Sequence, residues 1–466
     1  MIYLIILAGI ILLAVLSKST NQADSTVKAQ FGNAGDHLSI FNQGFCLAGG
    51  LRATTRDQAF RNALIVGNTG SGKTAAVLLG SLFTLSRSKS SIVVLDVSSE
   101  NFKLSSGYLS KRRKRKIYCF DLTDTSDGFN PIALCKNITD LDKVAHVLIR
   151  NSGVDSKSDS FWSTSSEMIL SLFMQYLFFY GQEGHKNMAN VVLLMETYMA
   201  EPDKLDILFI KTQDERLLRS YKTINAIPEK TRQSILSTAL AATKLFKSPD
   251  VARCTAINTF DIATFRKESS ILYLCIPLNQ VNFLAPLTAV LFEMLFQETL
   301  SRIPDRDENP IFFLIDEMIT MKLDLGLVYS NCRKYRVGCM GLIQDEKMLQ
   351  MKYSQAEAFA IKSNSCCRVY LPGQSLETSR DLMEIIGKCL IKDENGKERH
   401  SYAMEASQIR TSVEAIILIN SALPIKAPII PYFKHFIYNA RTKIPPYLPE
   451  QKILFKEPPL IQFDKK

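Results

Sequence analysis

Apolar residues along this chain follow two rhythms. Short unbroken runs, each closed by a polar residue, glycine or proline, occur at 63–66 (ALIV), 91–97 (SIVVLDV), 116–122 (KIYCFDL), 269–277 (SSILYLCIP), 310–316 (PIFFLID), 337–344 (VGCMGLIQ) and 366–373 (CCRVYLPG). Runs of this kind predict strands of a parallel sheet covered on both faces. The stretch 138–250 is different. SEMILSLFMQYLFFYG, NMANVVLLMETYM, DKLDILFIK and EKTRQSILSTALAATKLF space their apolar residues as helices do and carry little strand signal. The expected architecture is α/β, with a nucleotide-binding domain in two parts, 18–137 and 251–430, split by an all-helical insertion over 138–250. Residues 18–55 are polar with short apolar pieces, and read as a linker and a small hairpin near the nucleotide site. Residues 431–466, rich in Pro and Lys, are expected to trail over the surface.

The first residues form a further pattern. Met1 to Leu16 are apolar all round, and no side chain is charged until Lys18. As a helix they would reach about 24 Å at roughly 1.5 Å per residue, a little less than the ~30 Å hydrocarbon core, a gap that flanking residues and local thinning cover. A cleaved signal peptide needs a basic leading region, which is missing here. Residues 1–17 are therefore expected to be one transmembrane anchor, with Lys18, Lys28 and the basic body on the cytoplasmic side.

Candidate chemistry sits at the strand ends. Gly67-Asn68-Thr69-Gly70-Ser71-Gly72-Lys73-Thr74 fits G-x-x-x-x-G-K-[ST] at every fixed position, with an apolar strand before it and a helix-forming segment, 75–85, after it. The glycines permit a tight turn whose N–H groups point at phosphates, and the helix start adds its positive end. In this reading Lys73 reaches the β- and γ-phosphates of ATP and Thr74 ligates Mg²⁺. The run at 311–315 ends in Asp316-Glu317: Asp316 holds the Mg²⁺ shell and Glu317 polarises the attacking water. The next strand runs into Gln344, placed to report the γ-phosphate. Just before it, NCRKYR brings Arg333, Lys334 and Arg336 together, and one of them is a candidate arginine finger for a neighbouring subunit.

Composition bounds these readings. Of 466 residues, 46% are hydrophobic and 22% charged, which excludes a disordered chain. Net charge is +10, and the run Lys111-Arg112-Arg113-Lys114-Arg115-Lys116 contributes much of the excess. Such a run attracts nucleic acid or anionic lipid, and it is expected on a surface connection between strands. The 10 cysteines and 5 histidines show no zinc-ligand spacing and read as reduced, mostly buried thiols and isolated imidazoles.

The order of these pieces resembles the coupling proteins of type IV secretion and conjugation, the TraG/TraD-like branch of the FtsK/HerA group of P-loop motor ATPases. GFNPI (128–132) stands where that family has an Asn-Pro-Leu turn. SFWSTSSEMILSL (160–172) resembles the entry to its all-helical domain, and SILSTALAATKLFKSPDVA (234–252) its return to the sheet. CRKYRVGCMGLIQ resembles a stretch with an arginine ahead of a strand-end glutamine, mapping to Arg333 and Gln344, and GQSLETSRDLMEIIG (373–387) resembles a further family segment. Two departures stand out: Ser98-Ser99-Glu100 where Lys-Gly-Glu is common, and Met318 where Phe is usual.

The resemblance implies a RecA-like ATPase anchored in the inner membrane by a single span, with the bulk of the chain in the cytoplasm. It implies a homo-oligomer, a hexameric ring at the mouth of a secretion channel, with DNA, relaxosome proteins and channel components as partners. It would recruit a relaxase–DNA complex or effector proteins and drive transfer by ATP hydrolysis. A DNA translocase of the wider group, and a nucleotide-dependent receptor or scaffold for protein secretion, are the alternatives.

Overall fold

Each apolar run forms a strand in the computed structural model, which describes residues 31–153, 160–392, 398–449 and 456–463. The anchor expected over 1–17 lies outside the described residues. The strands are β1 (Ala63–Val66), β2 (Ser91–Val97), β3 (Lys116–Phe120), β4 (Ser270–Ile276), β5 (Ile311–Ile315), β6 (Val337–Ile343), β7 (Cys367–Tyr370), β8 (Lys388–Lys392), β9 (Glu398–Tyr402), β10 (Glu414–Ile419) and β11 (Ile425–Pro428). Nine of them make one sheet in the order β11-β10-β7-β1-β6-β5-β2-β4-β3. From β7 to β3 neighbouring strands are parallel, and β10 and β11 close one edge antiparallel. β8 and β9 form a separate hairpin.

Strand alternation splits the core into two layers. Leu64, Val66, Val93 and Leu95 face the layer that holds the helices between β3 and β4. Ala63, Ile65, Ile92 and Val94 face the other, which holds the helix after β1 and Tyr438. Between β3 and β4 the described residues contain helices and no strand, chief among them Ile138–Asn151, Ser160–Tyr180, Met188–Ala200, Pro202–Lys211, Glu215–Asn225 and Glu229–Thr243. Their starts are legible in the chain. Asn137, Asn187 and Asp214 accept the first free N–H groups of their helices, and Pro202 fills a first turn, where a missing N–H costs nothing.

Among the described residues one helix, Leu278–Thr299, is long and apolar enough to cross a membrane, and it is mostly buried. It is a core element: Phe292 and Phe296 pack on Phe313 of β5 with ring centroids 6.2 and 4.6 Å away.

Three sequence expectations need correction. The basic run is not a free surface loop. It begins at the end of the helix Glu100–Lys111, and Arg115, only 7% exposed, donates to the carbonyls of Ser90 and Ser86 at 2.8 and 2.9 Å. Arg113 also donates to Ser86 O. These two guanidiniums cap the turn 86–90, whose end residues Ser86 and Ser90 are buried, so part of the run is structural. The stretch before β1 is looser than a hairpin: Ser39 and Ala53 form an isolated antiparallel bridge, and Phe45, Cys46 and Leu47 are fully buried. The segment after 430 does not simply trail. The helix Phe436–Thr442 buries Tyr438, Arg441 stacks on the Tyr108 ring at 4.7 Å, and Tyr447 N–H donates to Ser106 Oγ at 3.0 Å. Its Pro and Lys content hid the aromatic residues that carry this packing.

Candidate nucleotide site

The loop Gly67–Thr74 lies at the C-terminal edge of the parallel strands, where α/β sheets place ligands. Gly70 and Gly72 have φ of +80° and +95°, which suits residues without a Cβ. A Cβ on Gly67 would come 2.6 Å from Ser71 Oγ and 2.9 Å from Leu371 Cβ, so the loop is closed tightly at its base. The helix that follows opens with a π-turn, Lys73–Leu78, and continues as Leu79–Leu85. The Lys73 ammonium donates to Asn68 O at 3.1 Å and to Gly67 O. It is folded back on carbonyls of the loop itself. Burial lowers its pKa, opposed by Glu317 and Asp316. Ser71 Oγ is buried without a hydrogen-bond partner. An orphan hydroxyl, a lysine held by loop carbonyls and two left-handed glycines fit a phosphate chain.

Asp316 follows β5. Its carboxylate accepts from Thr74 Oγ1 at 3.4 Å, which joins the two residues expected to share a divalent cation. Asp316 is 8% exposed. Its pKa is pushed up to about 7 by burial, then by the charges of Asp96 and Glu317, against Lys73 and the Thr74 hydroxyl. Buried acids crowded together with one lysine are an unbalanced set that a cation would complete.

Glu317 adopts φ +60°, a left-handed conformation that is uncommon for a side chain of this size and is found where function fixes the backbone. Gln344 Nε2 donates to Glu317 Oε2 at 3.1 Å. Glu317 Oε1 is buried and unpartnered. The next residue, Met318, is locked to β6: its N–H donates to Leu342 O at 2.9 Å, and a Cβ on Gly341 would lie 2.4 Å from its sulfur. Lys73, Thr74, Asp316, Glu317 and Gln344 thus stand around one loop. Asn68 joins it to the segment after β7 by donating to Gly373 O.

Arg333 is not brought to this loop. It precedes β6, while Gln344 follows it, and the strand between them spans seven residues, about 23 Å at roughly 3.3 Å each. Arg333 donates to Asp57 at 2.9 and 3.2 Å, and both side chains are 56% exposed. Arg336, at φ +52°, donates to the carbonyls of Asp305 and Arg306 and is structural.

Two residues beside the site escaped sequence reasoning in this role. Asp96, the penultimate residue of β2, lies next to β5 and accepts from the N–H and Nδ2 of Asn101 at 3.1 and 2.9 Å and from Phe102 N–H at 2.7 Å. It anchors the start of the helix Glu100–Lys111 beside Asp316. An acid closing the apolar run SIVVLDV was the available signal. Gln374 Nε2 donates to Val66 O and Leu371 O and ties the segment after β7 to the base of the loop. Nothing local in the sequence marks it.

Comparison with known proteins adds a family to this geometry. The chain is 23% identical over 351 residues to protein VirD4 of Rhizobium radiobacter, covering 71% of this chain and 48% of that protein. It is 22% identical over 361 residues to conjugal transfer protein TraG of Escherichia coli, covering 70% of this chain and 55% of that one. The chain spans about half the length of the curated relatives it matches. Its fold is that of the plasmid coupling protein TrwB in complex with ADP and Mg²⁺, with a TM-score of 0.67 at 16% identity, covering 94% of this chain and 99% of that chain. VirB4 of Thermoanaerobacter pseudethanolicus is more distant, at a TM-score of 0.54 and 9% identity. Residues 14–454 match the family model for type IV secretory system conjugative DNA transfer, and the chain belongs to that family.

Proposed function

We propose that this chain is a coupling ATPase that recruits substrate to a type IV secretion channel and powers its transfer by ATP hydrolysis. The observation that carries the reading is the meeting of Thr74 with Asp316, and of Glu317 with Gln344, around a closed glycine loop. Backbone N–H groups of Gly67–Thr74 and the Lys73 ammonium hold the phosphates once the lysine leaves its loop carbonyls. Thr74 and Asp316 hold Mg²⁺, which supplies charge neutralisation on the phosphates. Glu317 Oε1, free of any partner, orients the attacking water and accepts its proton, and Gln344 keeps the carboxylate aimed. Arg333, too far from its own loop, completes the site of a neighbouring copy in a ring.

The same reading divides the chain into an anchor (1–17) in the inner membrane, a nucleotide domain (18–137 and 251–430) in the cytoplasm, a substrate-facing helical domain (138–250) and a tail (431–466). DNA with relaxosome proteins, and the channel components, are the proposed partners. TrwB has been solved in complex with ADP and Mg²⁺ and with a non-hydrolysable ATP analogue, which supports ATP and Mg²⁺ here.

The test is ATP turnover by the full chain in detergent or lipid discs, with and without single- and double-stranded DNA, beside Glu317→Gln. Turnover that rises with DNA and vanishes in the variant is expected. Turnover indifferent to DNA moves the substrate to protein. Turnover unchanged by Glu317→Gln overturns the catalytic assignment.

A further inference from the structure

The segment Lys456–Phe463 returns to the helices between β3 and β4 and lies along them without regular structure. It is held by one buried side chain. Asn190, at 0% exposure, donates from Nδ2 to Pro459 O at 2.9 Å and accepts from Ile461 N–H on Oδ1 at 2.9 Å. Asn190 is itself fixed. Its N–H and Nδ2 both donate to Asn187 Oδ1, and Asn187 Nδ2 donates to Gly184 O. The result is a line of buried amides ending in a carboxamide that reads a peptide carbonyl and the N–H two residues on. An extended backbone presents those two groups on one side.

The side chains alternate in the same way. Ile461 and Phe463 pack against the helical core, while Leu460 and Gln462, on either side of Ile461, are exposed. The Lys204 ammonium lies 5.9 Å from the Phe463 ring centroid. Pro459 sits on Gly184, where a Cβ would come 3.1 Å from the proline ring. Beside Lys456–Pro459 the groove widens into a cleft of about 590 Å³, lined by Gly184, Lys186 and Ile257. Its floor is stitched by Asn130 of the GFNPI turn, which donates to Lys186 O and Ala256 O at 2.8 and 2.9 Å.

We propose that this groove is a docking site for an extended peptide of the pattern Pro-x-apolar-x-aromatic, and that Lys456–Phe463 fills it as a tethered, displaceable ligand. The groove offers what an extended peptide backbone matches, a donor and an acceptor on one buried carboxamide set to a carbonyl and the N–H two residues on. Removing the tail leaves the buried Asn190 carboxamide without its main-chain partners, at a cost that another backbone of the same form removes. The tethered segment is short and only half-buried. Tethering raises its effective concentration to about the millimolar range, so it excludes weaker free peptides and yields to a tighter or multivalent one. The inference does not depend on nucleotide chemistry.

The experiment follows a labelled synthetic peptide, KEPPLIQF, by fluorescence anisotropy against the full chain. In Ile461→Asp/Phe463→Asp, which releases the tail, the peptide is expected to bind at least about tenfold more tightly than to the unaltered chain. Adding Gly184→Val, which crowds Pro459 from the rim, or Asn190→Ala, weakens that binding by about tenfold or more. Asn190 is buried, so Gly184→Val serves as the variant that keeps the fold, checked by its melting curve. No binding to the released chain, equal binding of a scrambled peptide, or binding insensitive to both groove variants overturns the proposal. Loss of cooperative unfolding in the released chain also overturns it, by making the tail a fixed part of the core.

Discussion

Single side chains around the glycine loop are arranged for a guest that carries charge. Lys73 spends its hydrogen bonds on Asn68 O and Gly67 O, and nucleotide binding must exchange these for phosphate contacts. Lys73→Ala is expected to abolish nucleotide binding while the melting temperature stays within a few degrees, because only loop carbonyls lose a donor; a dye-labelled nucleotide titration beside a thermal melt checks both. Gln344→Ala releases Glu317 from its aim. Turnover should fall at least about tenfold with nucleotide affinity within about threefold, the pattern of a lost transition-state contact. An affinity loss that matches the rate loss would instead make Gln344 a binding residue. At this scale the sequence was legible in position where a residue closes an apolar run: Lys73 and Thr74 follow β1, Asp316 and Glu317 follow β5, and Gln344 follows β6. It was silent on Gln374, and on the part Asp96 takes beside Asp316, because that part depends on β2 lying next to β5.

Elements connect this site to the helical layer through one short join. The helix Ile138–Asn151 ends in Arg150 and Asn151. Asn151 accepts from Lys322 N–H at 2.6 Å and donates to Lys322 O at 3.0 Å, and Arg150 reaches Lys322 O and Asp324. Residue 322 lies a few positions after Glu317, so the clamp holds the connection that leaves the acidic strand end. Asn151→Ala should cost about 1–3 kcal/mol in stability and lower turnover more than nucleotide affinity, as read by denaturant melts and steady-state kinetics.

Beside the clamp, Glu293 accepts from Asp324 N–H at 2.6 Å and from Arg150 at 3.4 Å. Burial first, then Asp324, raises its pKa to about 7, against Arg150 and His146; Tyr353 also faces it. A carboxyl whose pKa is raised on folding stabilises most below its unfolded pKa, and that contribution is lost as pH climbs through about 7. Glu293→Gln should therefore flatten the pH dependence of stability between about 4.5 and 7 and raise stability at pH 8 by on the order of 2 kcal/mol. Urea melts across that range decide it; a variant less stable at pH 8 would show that the ion pair with Arg150 dominates.

For the whole molecule, the apolar runs sufficed to place the parallel strands, since buried parallel strands need no partner-specific pattern. The packing of the helix Phe436–Thr442 and of Lys456–Phe463 was not legible. Both depend on contacts far away in sequence, such as Asn190 with Pro459, and local composition there reads as a loose tail. Arg333 belongs to this scale too. Its bond to Asp57 is exposed and worth at most about 1 kcal/mol, so Arg333→Ala should fold normally. It is expected to keep nucleotide affinity, lose turnover, and depress the activity of unaltered chains mixed with it. Mixtures that retain full activity per unaltered chain would end the trans assignment.

β6 has Arg333 ahead of its first residue and Gln344 after its last. If the finger serves a neighbour, each copy carries half of two different sites, and a solitary chain carries no whole one. Hydrolysis then has a molecularity above one. Specific activity should fall as the protein is diluted, even at saturating nucleotide, and crowding the chains on a membrane surface should restore it without any change in the chains themselves.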